Sequence, residues 1–242
     1  MKKIILTLFV ALLPVLVLSG CVQYYNGVPV NSASYTRTFT FTKDEEGFEG
    51  GFADLPIDYN PFIYTLAFKQ ASVPIKDKLD KGLMLKGHNR SDDLFMYVSK
   101  KFNVKDGLRP NTKYTVLLSF DIATNIAGGG IGVGGSPGAS VYVKAGIINK
   151  APLVENINGM KTINVDKGIQ ANGGKEMQVL GNIEKINSTD DTYEYKNFQN
   201  KIDVTTNAKG EAWLIIGTDS GFEGLTDIYI TNIKLTANLF TK

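Results

Sequence analysis

The sequence predicts an all-β fold, a β-sandwich in a single domain, on three observations. Short runs rich in β-branched and aromatic residues alternate with a period of two. Gly, Asn, Asp and Pro clusters bound those runs. No long segment carries the i, i+3, i+4 apolar spacing of a helix; the nearest, around Ser72 to Gly82, is interrupted by Pro74 and holds few apolar residues.

The expected strands follow in order. TRTFTFT (Thr36 to Thr42) sets its phenylalanines on one face, and FIYTLAF (Phe62 to Phe68), LFMYVSKKFNV (Leu94 to Val104) and KYTVLLSFDIA (Lys113 to Ala123) come next. Later runs are SVYVKAGII (Ser140 to Ile148), KIDVTT (Lys201 to Thr206), AWLIIG (Ala212 to Gly217) and DIYITNIKLTA (Asp227 to Ala237). Eight or more strands with long, uneven loops fit a jelly-roll or an immunoglobulin-like sandwich. Loops of that length in a compact β domain usually carry function.

The beginning of the chain predicts export. Lys2 and Lys3 precede an apolar stretch, Ile4 to Leu18, that contains Pro14 and ends in Ser19 and Gly20. It is too short for a membrane span and has the form of a signal-peptide core. Leu18-Ser19-Gly20-Cys21 resembles the lipobox of bacterial lipoproteins, which implies a lipid on the Cys21 thiol, cleavage before it and acylation of the new terminus. Two or more acyl chains anchor stably where one does not. Cys21 is the sole cysteine, so disulfides within the chain and cysteine metal clusters are excluded. The expected division is a signal peptide over 1–20, a lipidated tether over 21–35 and a sandwich over 36–242, in a cell-envelope protein facing outward or the periplasm. Loss of Lys2 and Lys3 would balance the basic residues against the 24 acidic ones, and no long basic stripe points to nucleic acid.

Four stretches invite chemistry. GGGIGVGGSPGASVYVKAG contains Gly130-x-Gly132-x-x-Gly135, formally a dinucleotide fingerprint, but Pro137 and a strand pattern follow where a helix is required. A loop using glycine's backbone freedom is the better reading. KGHNRSDDLFMYV holds the single histidine, His88, with Asn89, Ser91, Asp92 and Asp93. Such oxygen donors could bind calcium, accept sugar hydroxyls or cap a turn. One histidine excludes a histidine-built zinc site, and no Gly-x-Ser-x-Gly elbow supports a hydrolase triad. FTKDEEGFEGGFADLPIDY supplies Asp44, Glu45, Glu46, Glu49, Asp54 and Asp58, from which a glycosidase pair could be drawn, although acidic loops are commonly only solvated. The single tryptophan, Trp213, sits in an alternating strand that favours burial over sugar stacking, and Thr218-Asp219-Ser220-Gly221 reads as the turn after it.

Taken together, FEGGFADLP, YTVLLSFDI and the closing WLIIGTDSGFEGLTDIYITNIKL resemble galactose-binding-like jelly rolls, the fold of many bacterial carbohydrate-binding modules. GFADLP, HNRSDDLFMY and GVGGSPGASVYVKAG are similar to a group of bacterial secreted lipoproteins. The resemblance runs from about Thr38 to Leu235. It implies a jelly roll and non-catalytic carbohydrate binding, with Asn89, Ser91, Asp92, Asp93, Asp219 and Ser220 as candidate ligand-binding residues. Modules of that kind often keep a structural calcium on an aspartate of the last strand; Thr231 stands at the matching place. An envelope assembly protein with a protein partner, and a glycan-degrading enzyme, are the alternatives.

Overall fold

The structure is a computed structural model that describes residues 24–25, 28–29, 34–187 and 189–239. Cys21, the signal segment and most of the tether lie outside the described residues.

Among the described residues, sixteen strands occur in chain order. The early ones are β1 (Tyr24–Tyr25), β2 (Val28–Pro29), β3 (Ser34–Phe39), β4 (Glu49–Ala53), β5 (Leu55–Pro56), β6 (Ala67–Ser72), β7 (Lys81–His88) and β8 (Leu94–Phe102). They are followed by β9 (Lys113–Thr124), β10 (Val141–Ile148), β11 (Val154–Ile157), β12 (Met160–Ile163), β13 (Gln178–Asn182), β14 (Glu194–Thr205), β15 (Ala212–Ser220) and β16 (Leu225–Leu239). Among the described residues, one short α-helix, α1 (Pro61–Tyr64), and one 3-10 turn, Val104–Asp106, interrupt them.

Two large antiparallel sheets form the sandwich. One has the order β13-β10-β15-β8-β4; the other has β14-β9-β16-β7-β6, with β3 also pairing β16. The all-β sandwich expected from periodicity is present. Period-2 alternation turns Leu94, Met96 and Val98 of β8 toward Phe120 and Ile122 of β9 and Ile228 and Ile230 of β16, and these residues are buried in the main core. β9 and β14 keep one register over their whole paired length, from Glu194 opposite Thr124 to Thr205 opposite Lys113. β16 crosses from β7 to β3 through a register shift between Thr231 and Lys234, where Asn232 adopts a left-handed backbone (φ 51°). No helix among the described residues is long and apolar enough to cross a membrane.

Two expectations need correction. Phe62 to Phe68 is not one strand: Asn60 accepts a bond from the Phe62 N–H, Pro61 opens α1, and Thr65 ends it at φ 47° before β6 starts. The 218–221 turn is displaced, because Asp219 and Ser220 pair with Phe95 and Leu94 as the end of β15, and the chain bends only at Gly221 to Gly224.

The chain between β10 and β13 folds over the outer face of the five-stranded sheet. Its hairpin β11–β12 pairs with β5. Ile163, Val165 and Met177 from this covering segment pack on Phe95, Tyr97, Ile148 and Ile215 of the sheet to make a second, smaller core. Both faces of β8 and β15 are therefore buried.

Candidate functional site

Beneath the covering segment lies a cluster of five charged side chains. Tyr142 pairs with Asp219 across β10 and β15, and Lys144 pairs with Gly217, so Lys144 and Asp219 are diagonal neighbours on one face. Lys144 Nζ donates to Asp219 Oδ2 at 2.6 Å, and neither side chain is exposed. The remaining bonds of the ammonium go to the carbonyl oxygens of Lys167 and Asn172, both 2.9 Å away in the covering segment. Lys167 reaches back: its Nζ lies 2.8 Å from Asp219 Oδ2 and 2.8 Å from Asp54 Oδ2. The Gln170 N–H completes the set of donors to Asp219 Oδ2 at 3.0 Å.

Asp93 stands just ahead of β8, beside Asp219. Asp54 occupies the bend between β4 and β5 at φ 61°, a left-handed position that aspartate tolerates better than most residues. One carboxylate oxygen from each of Asp54, Asp93 and Asp219 lies within 4.8 Å of the others. Burial, reinforced by the Asp219 charge, pushes Asp93 up to about 8. Burial also raises Asp54, against the pull of Lys167. Burial pushes Asp219 the same way, but Lys167 and hydrogen bonds from Asp93, Lys144 and Lys167 carry it below the usual carboxylate range. Burial lowers Lys144, whereas Asp219 and Asp54 overcome burial to raise Lys167.

Three carboxyl groups thus face two ammonium groups, and one proton, held on Asp93, makes the cluster neutral. The same count bears on metal binding. Asp54, Asp93 and Asp219 are the residues that could hold a cation, but two lysines from the chain already fill that place. Thr231, where the resemblance sets a calcium ligand, donates its hydroxyl to Lys81 O at 2.6 Å.

The cluster is not sealed. Asp54, Asp93 and Lys167 border a cleft of about 520 Å³ whose other walls are Met160, Thr162, Ile163, Val165 and Ile169. Of the six expected candidates, Asp93 and Asp219 belong to the cluster, and Asn89, Ser91, Asp92 and Ser220 do not line the cleft. Asn89 is buried, its Nδ2 donating to Ser220 O at 2.9 Å and Phe222 O at 3.1 Å. Ser220 is buried and its hydroxyl donates to Phe222 O at 2.9 Å. Ser91 donates to Asp93 O at 3.2 Å. Asp92 is exposed, and its carbonyl accepts from Gln170 Nε2 at 3.2 Å. Of the acidic stretch 44–58, Asp54 alone reaches the cluster; Glu46 instead accepts the Phe41 N–H and Glu45 the Gln70 N–H. Trp213 is partly buried against the second core, with Lys101 over its ring at 5.3 Å.

The sequence reading missed Lys144 and Lys167 and singled out Asp54 only as one of six acids from which a glycosidase pair could be drawn. For Lys144, a lysine among apolar neighbours in VYVKAGII was the available signal.

No family model matches the chain, and no curated protein matches it. Among solved structures, it is similar to the CBM22-1-GH10 modules of an endo-1,4-β-D-xylanase of Clostridium thermocellum complexed with xylohexaose, at 12% identity and a TM-score of 0.42. That match covers 84% of this chain and 28% of the xylanase structure, so the chain spans less than a third of its length. A carbohydrate-binding module for which specific mannan recognition is described matches at 12% identity and a TM-score of 0.41, over 86% of this chain and 99% of that one. A xylan-binding domain matches at 12% identity and a TM-score of 0.40, over 87% and 98%. These neighbours include carbohydrate-binding modules of β-sandwich form.

Proposed function

We propose that the protein is a non-catalytic, lipid-anchored envelope protein that binds a carbohydrate in the cleft beside the charged cluster. One observation carries this reading: Asp54, Asp93 and Lys167, from three separate segments, converge on one cleft that also has apolar walls. Sugars need both kinds of surface, since their hydroxyls exchange hydrogen bonds while their ring faces lie against carbon. The Asp54 and Asp93 carboxyl groups can accept from sugar hydroxyls, and the Lys167 ammonium can donate to them. About 520 Å³ falls in the size range of small-ligand clefts. Leu18-Ser19-Gly20-Cys21 supports the anchor, which would hold the sandwich at a bacterial membrane, facing outward or the periplasm.

Glycan-array screening of the chain from Ser34 onward tests it, with xylans and mannans as the first probes. Binding that is lost in Ile169→Ser, a change on the cleft wall, supports the reading. A blank array from folded protein refutes it and favours a protein partner. Ile131 and Val133, 98% and 67% exposed on the glycine-rich loop, are the observation behind that second reading.

A further inference from the structure

We infer that Lys144 and Asp219 become joined by an amide bond between their side chains, formed by the folded protein itself with Asp93 as the proton-transferring acid. The inference is independent of what the cleft binds.

Three features of the geometry lead to it. First, Lys144 Nζ lies 2.6 Å from Asp219 Oδ2, with both side chains wholly inside the protein. Burial favours the free amine of Lys144, the form that reacts, and the proton on Asp93 can neutralise the Asp219 carboxylate as the amine attacks. Second, Asp93 Oδ1 and Asp219 Oδ1 are both buried, and no donor from elsewhere reaches either. Two adjacent carboxyl oxygens are satisfied together only when a proton lies between them, so Asp93 aims an acid at the carbonyl oxygen that must take up charge. Third, the reacting groups are fixed by neighbouring strands and roofed by Lys167 and Asn172, which supplies the orientation that an amine and an acid lack in solution.

The step needs no outside reagent. The Lys144 ammonium passes a proton to Asp219 Oδ2, leaving a free amine and a carboxylic acid. The amine attacks Asp219 Cγ, forming the Nζ–Cγ bond, while Asp93 gives its proton to Oδ1 and accepts one from Nζ. The resulting intermediate carries two hydroxyls on Cγ. Asp93 then protonates one of them, which leaves as water when its C–O bond breaks, and takes the proton of the other, restoring the carbonyl. The products are a secondary amide, one water and Asp93 in its starting state.

Lys167 also contacts Asp219 Oδ2, but Asp54 shares its ammonium and both partners hold it charged. Lys144 is the nucleophile on this ground. A chain with one cysteine has no disulfide to brace its sheets, and this bond would connect positions 75 residues apart.

The test is digestion of the full chain under denaturing conditions, followed by tandem mass spectrometry. The expected product is a branched peptide joined through Lys144 and Asp219, lighter than its two arms by one water and present in most chains. Lys144→Arg should yield linear peptides only. Asp93→Asn should lose the branched peptide at least tenfold while remaining folded by near-ultraviolet circular dichroism. Linear peptides alone from the folded parent chain, or a branch through Lys167, would overturn the inference. Undiminished cross-linking in Asp93→Asn would remove Asp93 from the chemistry.

Discussion

Lys167 Nζ lies 2.8 Å from Asp54 Oδ2, so a side chain of the covering segment is paired with the bend between β4 and β5. The pair is largely buried and Lys167 also serves Asp219. Lys167→Met should therefore leave two acids short of a countercharge. Removing one partner of such a pair costs about 3–5 kcal/mol. Urea denaturation reads this as a lower midpoint, and an unchanged midpoint would show that the pair contributes nothing.

Asp93 gives the protein a pH dependence of defined sign. Its folded value, pushed up to about 8, lies above that of an unfolded aspartate, near 4. Between those values the folded chain binds a proton that the unfolded chain does not, so this group's contribution is complete below about pH 4 and declines as pH rises toward 8. Denaturation midpoints at pH 5, 6, 7 and 8 should fall more steeply for the parent than for Asp93→Asn. The direction holds whether or not Asp219 keeps its charge, because burial is the largest cause.

Asn89 ties the start of one loop to another through Ser220 O and Phe222 O. Asn89→Leu should take a donor from both carbonyls; Phe222 O keeps the Ser220 hydroxyl, so the cost is about 1–3 kcal/mol for one buried group left short of a partner. The change should lower the melting temperature, and equal melting of parent and variant would contradict the bonding described.

Gly146 lies on the sheet face under the covering segment, where an added Cβ would collide with Glu176 O. The obstacle is backbone, so the segment itself must shift. Gly146→Ala should speed cleavage within residues 149–177 under limited proteolysis, and parent-like resistance would mean that the segment tolerates the methyl group.

Ile169, 66% exposed on the cleft wall, separates binding from stability. Ile169→Ala should weaken glycan binding several-fold by calorimetry while shifting stability by less than about 0.5 kcal/mol, as surface changes usually do. Parent-like affinity would place the ligand elsewhere.

Strands whose alternation is uninterrupted were legible in the sequence, as β9 shows in Tyr114, Val116, Leu118 and Phe120. β4 and β7 were not, because Gly50, Gly51, Gly82 and Gly87 break the pattern where side chains from elsewhere fill the space. At the site, Asp93 and Asp219 attracted notice as polar residues between strands. Lys144 drew no notice, because nothing local says that a segment starting after Ile148 will return over it. Asp54 was one acid among six, and its partners are fixed by contacts far along the chain.

β16 pairs with β3, β7 and β9, and it is the last strand described. A chain synthesised from its N-terminus delivers this strand after every partner it must join. Until then β9 lacks its neighbour on one side and β3 and β7 have nothing between them and β9. The six-stranded sheet therefore closes only when its last-made strand arrives, and the first half of the chain waits on the final stretch.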